Sequence, residues 1–372
     1  MNDTNNYEDF LDQQASLLIK NELTPGIAIT WVDKNKKQVR CFGETKRSSA
    51  KQINSQTIFQ AGSLSKTLTA WGIMWLVEHN RIDLDIPVNN YLSRWKIPDS
   101  KFNNTKVTPR SLLSHTSGLQ PVNFKGTYNK DNNSIESILS KSKTPIKIIQ
   151  QPQTSFLYSG AGYSILQLLI EEITGETFTH YMKTKILLPL NMQNSDFDQP
   201  QNYIDKGAVG HGFWGQAVKN RYYSSKSAAG LYTTIEDMAC FLQQNIRIGS
   251  DNYNKGILKP TTLQTMYKKP LRNVSHGLGY YISNLCNDTA CFYEGVNLGW
   301  RSYFLLLQKH QSAICILSNC AYSKNAIATI VQNWLFEAYG AITAETSTLL
   351  KIDTISRINL LKNLYKRSRG KY

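Results

Sequence analysis

Strand-like segments at both ends of the chain, with a long helical region between them, limit the possible folds more than any other feature. Gly26–Val32 (GIAITWV) and Gln38–Phe42 are apolar or alternating runs separated by a polar turn. The second group of predicted strands comprises Leu278–Ile282, Cys291–Gly295, Trp300–Leu307 and Ser312–Ser318. A closing helix is predicted over Asn325–Tyr339. This order predicts an α/β protein of the α+β type, in which one antiparallel sheet from both chain ends is flanked by helices.

The middle of the chain, about residues 81–200, carries helix and loop signals and few strand signals. Thr108 and Pro109 form a favourable helix start, with threonine as the N-cap and proline at the first helical position. Tyr163–Thr174 is a helical run, and a second helix is predicted from about Thr177 to Leu188. We therefore predict that this region forms an inserted, mostly helical lobe.

Amphipathic helices are also predicted near both termini. Residues 5–21 place apolar side chains on one side of a helix. Within Leu349–Tyr365, apolar residues share one helical side and lysines lie opposite. Such a basic helix either lies on an anionic membrane surface or packs on the protein, and the sequence leaves both alternatives open. We predict one domain over residues 1–340 and a basic C-terminal extension over residues 341–372.

The segment Phe59–Glu78 (FQAGSLSKTLTAWGIMWLVE) combines a strongly helical apolar pattern with Ser63 and Lys66 at its start. Helical side chains three positions apart lie on one face, with Cβ atoms about 5–6 Å apart. The Lys66 amine can therefore take the proton of the Ser63 hydroxyl, which a serine nucleophile requires. Unpaired backbone N–H groups at a helix start can also stabilise an oxyanion.

The S-x-x-K spacing alone has little specificity. It also occurs at Ser48–Lys51, Ser93–Lys96, Ser140–Lys143 and Ser368–Lys371. The Ser63 segment differs because apolar residues recur at helical spacing from Leu64 to Trp75, which predicts a helix buried on one side. The alternative interpretation is that Ser63 caps the helix while Lys66 extends to solvent.

Composition and charge narrow the class of protein. The chain has 372 residues, 41% of them hydrophobic, which is enough for a sizeable core. No apolar run is long enough for a transmembrane helix, and no signal peptide is recognisable at the N-terminus. We expect a periplasmic or secreted protein if a signal peptide was removed, and a cytoplasmic one otherwise. The net charge of +15 is spread thinly without a nucleic-acid-binding motif, so nucleic acid is not an expected partner.

The six cysteines do not indicate a metal site. The sequence has no C-x-x-C pair and no histidine cluster at metal-ligand spacing, so no metal or organic cofactor is predicted. Cys286 and Cys291 flank a predicted hairpin turn at residues 287–290, across which they could pair in an oxidising compartment. Unpaired buried thiols are the alternative.

Six stretches between about residues 24 and 336 occur in a recognisable order. They read FQAGSLSKTLTA, VTPRSLLSHTSGL, YSGAGYSILQLLIEEITG, LPLNM, SAAGLYTTIEDMACFL and EGVNLGWRS. Together they resemble the serine β-lactamase-related family, which includes class C β-lactamases, D-Ala-D-Ala carboxypeptidases and their esterase relatives. The resemblance implies a helical lobe beside an antiparallel sheet, with the site in the cleft between them.

The resemblance also implies roles for individual residues. It makes Ser63 the nucleophile and Lys66 its base. Tyr158, which begins the second motif, would relay a proton between the serine and the leaving group. The backbone N–H groups of Ser63 and Val296 would form the oxyanion hole. A packed aromatic side chain whose hydroxyl has a partner is the alternative for Tyr158.

Two motifs depart from the family pattern. The second motif is usually Tyr-x-Asn, but Gly160 stands at the asparagine position. The third is usually Lys-Thr-Gly or His-x-Gly, but Tyr293 replaces the cation that would meet a substrate carboxylate. Gly160, Tyr293 and Gly295 remain predicted substrate-binding positions, since Gly295 lets a substrate backbone lie close. Arg301 is either a replacement cation or an arginine at the sheet edge.

Two histidines and an aromatic cluster have two interpretations each. His211 either lines the substrate pocket or lies in a glycine-rich loop. His115 has the chemistry of a base, but the resemblance assigns its turn a supporting role. The cluster that would either wall an acyl pocket or pack in the core comprises Phe213, Trp214, Tyr222 and Tyr223.

These observations predict a serine hydrolase that acts through an acyl-enzyme on a small ester or amide. The alternatives are a D-Ala-D-Ala carboxypeptidase or β-lactamase, and a catalytically silent binding protein with the same fold. We expect a monomer whose partner is a small ester, amide or peptide. Peripheral membrane contact through the basic tail remains one of two alternatives.

Overall fold

The computed structural model describes residues 24–34, 36–122, 126–128, 134–141, 146–246 and 256–340, together with Asp12, Gln13, Ala15, Ser16 and Ile19. The five early residues are helical, and Ala15 is buried against the sheet. The rest of the helix predicted over residues 5–21, and the whole extension over residues 341–372, lie outside the described residues. Within the described ranges, no helix has the length and apolar character needed to cross a membrane.

The strands come from both ends of the described chain. They are β1 (Gly26–Asp33), β2 (Lys36–Gly43), β3 (Phe59–Gln60), β4 (Tyr232–Thr233), β5 (Tyr281–Leu285), β6 (Asp288–Asn297), β7 (Trp300–Leu307) and β8 (Ser312–Ser318). Six of them form one antiparallel sheet in the order β2-β1-β8-β7-β6-β5, while β3 pairs with β4. Ile29 of β1 lies opposite Ile316 of β8. The predicted sheet from both chain ends is confirmed.

The β5–β6 hairpin differs from the prediction in position. Strand β5 begins at Tyr281, three residues later than predicted. The turn consists of Cys286 and Asn287, which both have positive φ (52° and 55°), the geometry that two-residue hairpin turns favour. Cys291 therefore lies inside β6, paired with β5, and does not face Cys286. The two cysteines are not joined in a disulfide bond.

The helices pack either on this sheet or on one another. They are α1 (Leu64–Glu78), α2 (Pro109–Leu113), α3 (Ile135–Lys141), α4 (Gly160–Thr174), α5 (Phe178–Met182), α6 (Tyr203–Lys206), α7 (Lys226–Ala229), α8 (Ile235–Ile246), α9 (Pro260–Met266) and α10 (Lys324–Tyr339). Helices α2 to α5 lie between residues 81 and 200, where the sequence predicts helices. A π-helical turn, Lys183–Leu187, continues α5. The division of the chain at residue 340 stays a prediction.

Both faces of the sheet are buried. On β1, Ala28 and Val32 belong to the core cluster that includes α1, α4 and α8. Ile29 and Trp31 belong to the second cluster, which α10 covers with residues such as Trp334. A strand that is buried on both faces has no solvent-exposed side, so the sequence of β1 is almost entirely apolar.

Helix α1 passes through the middle of the molecule, and the prediction that it is buried on one side only is wrong. Twelve of its fifteen residues are buried, because it contacts the sheet and the helical region together. Its buried hydroxyls have partners: Ser65 donates to a backbone carbonyl over 2.6 Å, Thr67 over 2.9 Å and Thr69 over 3.0 Å. Buried polar groups need such partners. The helix that carries Ser63 and Lys66 is thus fixed from all sides.

Candidate active site

Ser63 lies between β3 and α1, at the N-cap position of α1. Its backbone is already helical (φ −68°, ψ −6°), and its side chain makes no capping hydrogen bond. Instead, Lys66 Nζ donates to Ser63 Oγ over 3.1 Å, and Tyr158 Oη donates to the same oxygen over 3.0 Å. The interpretation of Ser63 as a capping residue is therefore wrong. The structure brings together the three side chains predicted to be catalytic.

Lys66 is held inside the protein and does not extend to solvent. Only 2% of its surface is exposed, and its ammonium donates over 2.7 Å to the Ala228 carbonyl of α7. The same ammonium lies 5.1 Å from the ring centre of Tyr158 and 5.6 Å from that of Tyr163. A carbonyl and two aromatic faces compensate part of the cost of burying a cation. These contacts aim Nζ at Ser63.

The environment of Tyr158 lowers the pKa of its hydroxyl. Burial by itself raises the pKa of this phenol, but the charge of Lys66 and polar interactions with Lys66, Ser63 and Tyr293 lower it. The net effect is a pKa below the ordinary value of a tyrosine. Tyr158 can thus exchange a proton with Ser63 more easily than an exposed tyrosine can.

The β6 strand brings a second backbone segment beside Ser63. Its pairing with β5 ends at Phe292, so the following residues are unpaired on the side of the cleft. Gly62 has φ +53°, and a Cβ atom there would lie 2.8 Å from the Val296 nitrogen. Only glycine allows this close approach of the two backbones. A Cβ atom on Gly295 would likewise lie 2.1 Å from the Ala61 carbonyl oxygen. The adjacency is what an oxyanion hole of the Ser63 and Val296 amides needs; that role stays a prediction.

A cleft of about 770 Å³ opens beside Ser63. Among the predicted site residues, Tyr158, Tyr293 and Val296 line it. Four aromatic side chains that the sequence analysis did not single out also form its wall: Phe156, Tyr281, Phe292 and Tyr303. Arg301 lies at the rim, in an ion pair with Glu294. The cleft is therefore largely aromatic, and the arginine beside it already has a carboxylate partner.

Tyr293, at the family's cation position, is buried and joined to His115. Only 1% of Tyr293 is exposed, and its Oη lies 3.3 Å from His115 Nε2. His115 Nδ1 accepts the backbone N–H of Ser159 over 3.2 Å. Burial, followed by the nearby His276 and Lys66, lowers the pKa of His115 well below its ordinary value. The imidazole is neutral, and its contacts are with the neighbours of Ser63.

Three of the predicted substrate-binding residues, Gly160, Gly295 and His211, do not line the cleft. Gly160 is buried as the first residue of α4 and does not line the cavity. His211 is fully buried elsewhere: its Nδ1 lies 3.0 Å from the Asn319 carbonyl, and its Nε2 accepts the Arg47 N–H over 3.1 Å. Both ring nitrogens of His211 thus contact backbone groups of neighbouring loops. The prediction that His211 lines the substrate pocket is wrong.

The predicted aromatic cluster is also divided. Phe213 packs against Trp214 and Tyr322, with ring centres 4.7 and 4.5 Å away, outside the cleft. Tyr222 and Tyr223 line a separate cavity. The sequence analysis also missed the Ala228 carbonyl, although its segment, SAAGLYTT, is one of the family stretches. A backbone acceptor has no residue type of its own and therefore leaves no recognisable signal.

The family model described as Beta-lactamase matches residues 15–335. Because this is most of the chain, the protein belongs to the β-lactamase family, and the resemblance seen in the motifs is confirmed. Protein flp of Staphylococcus aureus (strain MRSA252) is 24% identical over an alignment of 320 residues, and the match covers 82% of this chain and 62% of flp. The chain thus spans about three fifths of the length of such curated relatives.

Solved structures with the same fold include β-lactamases and penicillin-binding protein homologues. A class C β-lactamase has a TM-score of 0.75 at 18% identity, over 90% of this chain and 96% of that one. The octameric penicillin-binding protein homologue from Pyrococcus abyssi has a TM-score of 0.73 at 21% identity, over 89% and 77%. The β-lactamase/D-alanine carboxypeptidase from Pseudomonas syringae has a TM-score of 0.74 at 16% identity, over 89% and 99%. At these identities the likeness establishes the fold.

Proposed function

We propose that this chain is a serine hydrolase that acts through an acyl-enzyme on a small ester or amide. One observation carries the proposal: Ser63 Oγ lies 3.1 Å from the Lys66 amine and 3.0 Å from the Tyr158 hydroxyl, at the edge of an open cleft. A hydroxyl within hydrogen-bond reach of two groups that can exchange its proton meets the geometric requirement for an activated nucleophile.

The reaction has two stages. In the first, Ser63 Oγ attacks the substrate carbonyl carbon while its proton passes to the Lys66–Tyr158 pair. The carbonyl oxygen becomes an oxyanion beside the Ser63 and Val296 N–H groups, which stabilise the charge. Tyr158 then supplies a proton to the leaving oxygen or nitrogen as its bond to carbon breaks. In the second stage water attacks the acyl ester, releasing a carboxylic acid and restoring Ser63. Another nucleophile in place of water would give acyl transfer.

The substrate class follows from the altered motifs. Gly160 offers no side-chain amide to an acylamino group. Tyr293 offers no positive charge to a carboxylate, and Glu294 already pairs with Arg301 at the rim. A carboxylate without a charged partner loses more water contacts than it regains when it enters such a cleft. These features favour neutral esters or amides with apolar or aromatic acyl groups.

A D-Ala-D-Ala carboxypeptidase or β-lactamase is the second candidate. The overall fold and the Ser63–Lys66–Tyr158 contacts suit these activities equally well, and proteins so named share the fold. A comparison of nitrocefin with p-nitrophenyl acetate and butyrate separates the candidates. We expect the esters to be the better substrates by kcat/KM. Efficient nitrocefin turnover without esterase activity would reverse the ranking.

A silent binding protein with the same fold is the candidate from another class. A fluorophosphonate probe followed by mass spectrometry tests it, because only an activated serine reacts. We expect labelling of Ser63 and none in Ser63→Ala. Ser93→Ala is the matched control, since Ser93 has the same S-x-x-K spacing but is exposed, and this variant should label normally. An unlabelled wild-type protein, or a label on Ser65, contradicts the proposal.

For assembly and location we propose a monomer whose extension, residues 341–372, contacts either a membrane or the domain. The basic charge and apolar spacing of Leu349–Tyr365 support both alternatives. Co-sedimentation with anionic vesicles at low salt, for the full chain and a version ending at Tyr339, separates them. Binding by the full chain alone supports the membrane alternative. No binding, with lower thermal stability of the shorter chain, supports packing.

A further inference from the structure

We propose that the cavity lined by Tyr222 and Tyr223 is a second ligand site, which takes a small zwitterion: a free amino acid with an aromatic or branched apolar side chain. The cavity has a volume of about 380 Å³, which is enough for a small molecule. It is separate from the cleft, because Ser63, Lys66 and Tyr158 are not among its lining residues. The binding itself does not depend on the proposed function.

Aromatic rings form much of the wall of this cavity. Phe178 and Phe197 are buried and meet edge to face, with ring centres 5.0 Å apart. Tyr232 contributes a third buried ring. Rings held in place by packing favour an occupant with an apolar part, which gains by leaving water.

One ion pair faces the cavity. Lys226 Nζ of α7 lies 2.7 Å from Asp198 Oδ1, and both residues line the space. Glu171 of α4, the third charged residue of the lining, is bound by Arg94 over 2.7 Å. The Lys226–Asp198 pair is therefore the charged feature that an occupant would meet.

Such a pair is complementary to a molecule that carries both charges. The Lys226 ammonium has three N–H donors and the Asp198 carboxylate has two oxygens, so each can bind a further partner while the pair stays intact. A ligand carboxylate beside Lys226 and a ligand ammonium beside Asp198 would place opposite charges next to each other throughout. A lone anion would instead face the Asp198 carboxylate, and a lone cation the Lys226 ammonium.

Helix α7 connects this cavity with the candidate active site. The Lys226 side chain lines the cavity, and two residues later the Ala228 carbonyl accepts Lys66 Nζ over 2.7 Å. Gln167, another lining residue, accepts the Ser227 N–H over 3.2 Å. An occupant that binds Lys226 and Asp198 together restrains α7, and with it the carbonyl that aims Lys66. This link rests on the proposed function, and it predicts faster reaction of Ser63 when the cavity is filled.

Isothermal titration calorimetry with L- and D-phenylalanine and L- and D-leucine tests the site. Analogues with one charge are the controls: phenethylamine and 3-phenylpropionate for phenylalanine, and 3-methylbutylamine and 4-methylpentanoate for leucine. We expect at least one of the four amino acids to bind. Its two analogues should each bind at least about tenfold more weakly, because each lacks one charged hydrogen-bonding group. If none of the four binds at millimolar concentrations, or an analogue binds equally well, the proposal is overturned.

Two variants locate the binding. Asp198→Asn and Lys226→Gln each remove one charge, and each should weaken binding at least about tenfold. Both should fold, because the pair is partly exposed and such pairs contribute little to stability. Asp85→Asn is the matched control, since it breaks the Arg110–Asp85 ion pair, also 2.7 Å long but outside the cavity, and should bind normally. Binding that survives both cavity variants lies elsewhere and overturns the site.

The rate of Ser63 labelling by a fluorophosphonate, with and without the amino acid that binds, tests the link through α7. We expect an increase of about fivefold in the wild-type protein, at the lower end of the usual coupling between two sites, and none in Asp198→Asn. An unchanged or slower rate overturns the link but not the ligand site. If Ser63 is not labelled at all, the proposed function and the link are overturned, whereas calorimetry still decides the ligand site.

Discussion

Acid should destabilise the protein through His276, a buried histidine beside the cleft. This residue is fully buried, and its Nδ1 lies 2.7 Å from the Gly277 carbonyl. Among the residues that the structure describes, none accepts from or donates to its buried Nε2. Protonation would place a second N–H, and a positive charge, where nothing receives them. Burial first, with a smaller contribution from Lys66, lowers the pKa of His276 from 6.5 to about 4.

The size of the effect follows from this shift. Above pH 6.5 the ring is neutral in both the folded and the unfolded chain, and the free energy of unfolding does not depend on it. Below that pH the unfolded chain binds a proton that the folded protein excludes, so stability falls until about pH 4. At about 1.4 kcal/mol per pH unit the total loss is about 3 kcal/mol, of which about 2 kcal/mol falls between pH 7 and pH 5.

Urea unfolding of the wild-type protein and of His276→Asn, at pH 7 and at pH 5, measures this loss of stability. Asparagine keeps a donor for the Gly277 carbonyl but does not titrate, so the difference between the two proteins should shrink, or reverse, by about 2 kcal/mol at pH 5. His180→Asn, at an exposed histidine, should keep the wild-type dependence. His115 remains in both proteins and adds its own loss in the same direction. An unchanged difference between wild type and His276→Asn would refute the reasoning.

Three further substitutions test the site and the helix beneath it. Tyr158→Phe should lower kcat/KM for p-nitrophenyl butyrate by about 100-fold or more, because it removes a proton-transfer group, while the thermal midpoint stays close to that of wild type. Gly62→Ala should destabilise the protein by about 1–2 kcal/mol, because of its positive φ, and should slow Ser63 labelling, because Cβ would press on the Val296 nitrogen. Thr67→Val should cost about 1–3 kcal/mol in urea unfolding by leaving the Gly279 carbonyl unpaired, with normal labelling per folded molecule.

The fold could be predicted from the sequence where burial leaves a repeated pattern. The β1 and β8 strands are covered on both faces, so each is almost entirely apolar. Such a run indicates a buried element. The start of β5 was missed by three residues, because Leu278 is buried and apolar although it lies in the loop before the strand. The enclosure of α1 was missed because its serines and threonines look solvent-exposed until their carbonyl partners are known.

The candidate site could also be predicted only in part. Ser63 and Lys66 could be predicted because they are three residues apart on one helix, a local relationship. Tyr158 comes from a distant segment, so its role depended on the family resemblance. The Ala228 carbonyl and the environment of His211 depend on which loops meet in three dimensions. A single sequence does not show which loops contact each other in the folded protein.

The departure from the family pattern at Tyr293 has two separable consequences. A lysine at this position would combine a hydrogen-bond donor with a positive charge. The Tyr293 hydroxyl, which lies 3.3 Å from His115 Nε2, carries no charge. In the proposed mechanism the Lys66–Tyr158 pair moves the proton, whereas recognition of a substrate carboxylate needs a positive charge at the third motif. The same substitution can therefore preserve acylation of Ser63 and remove the preference for carboxylate-bearing substrates. Activity on neutral esters with little activity on β-lactams is the combination that this separation predicts.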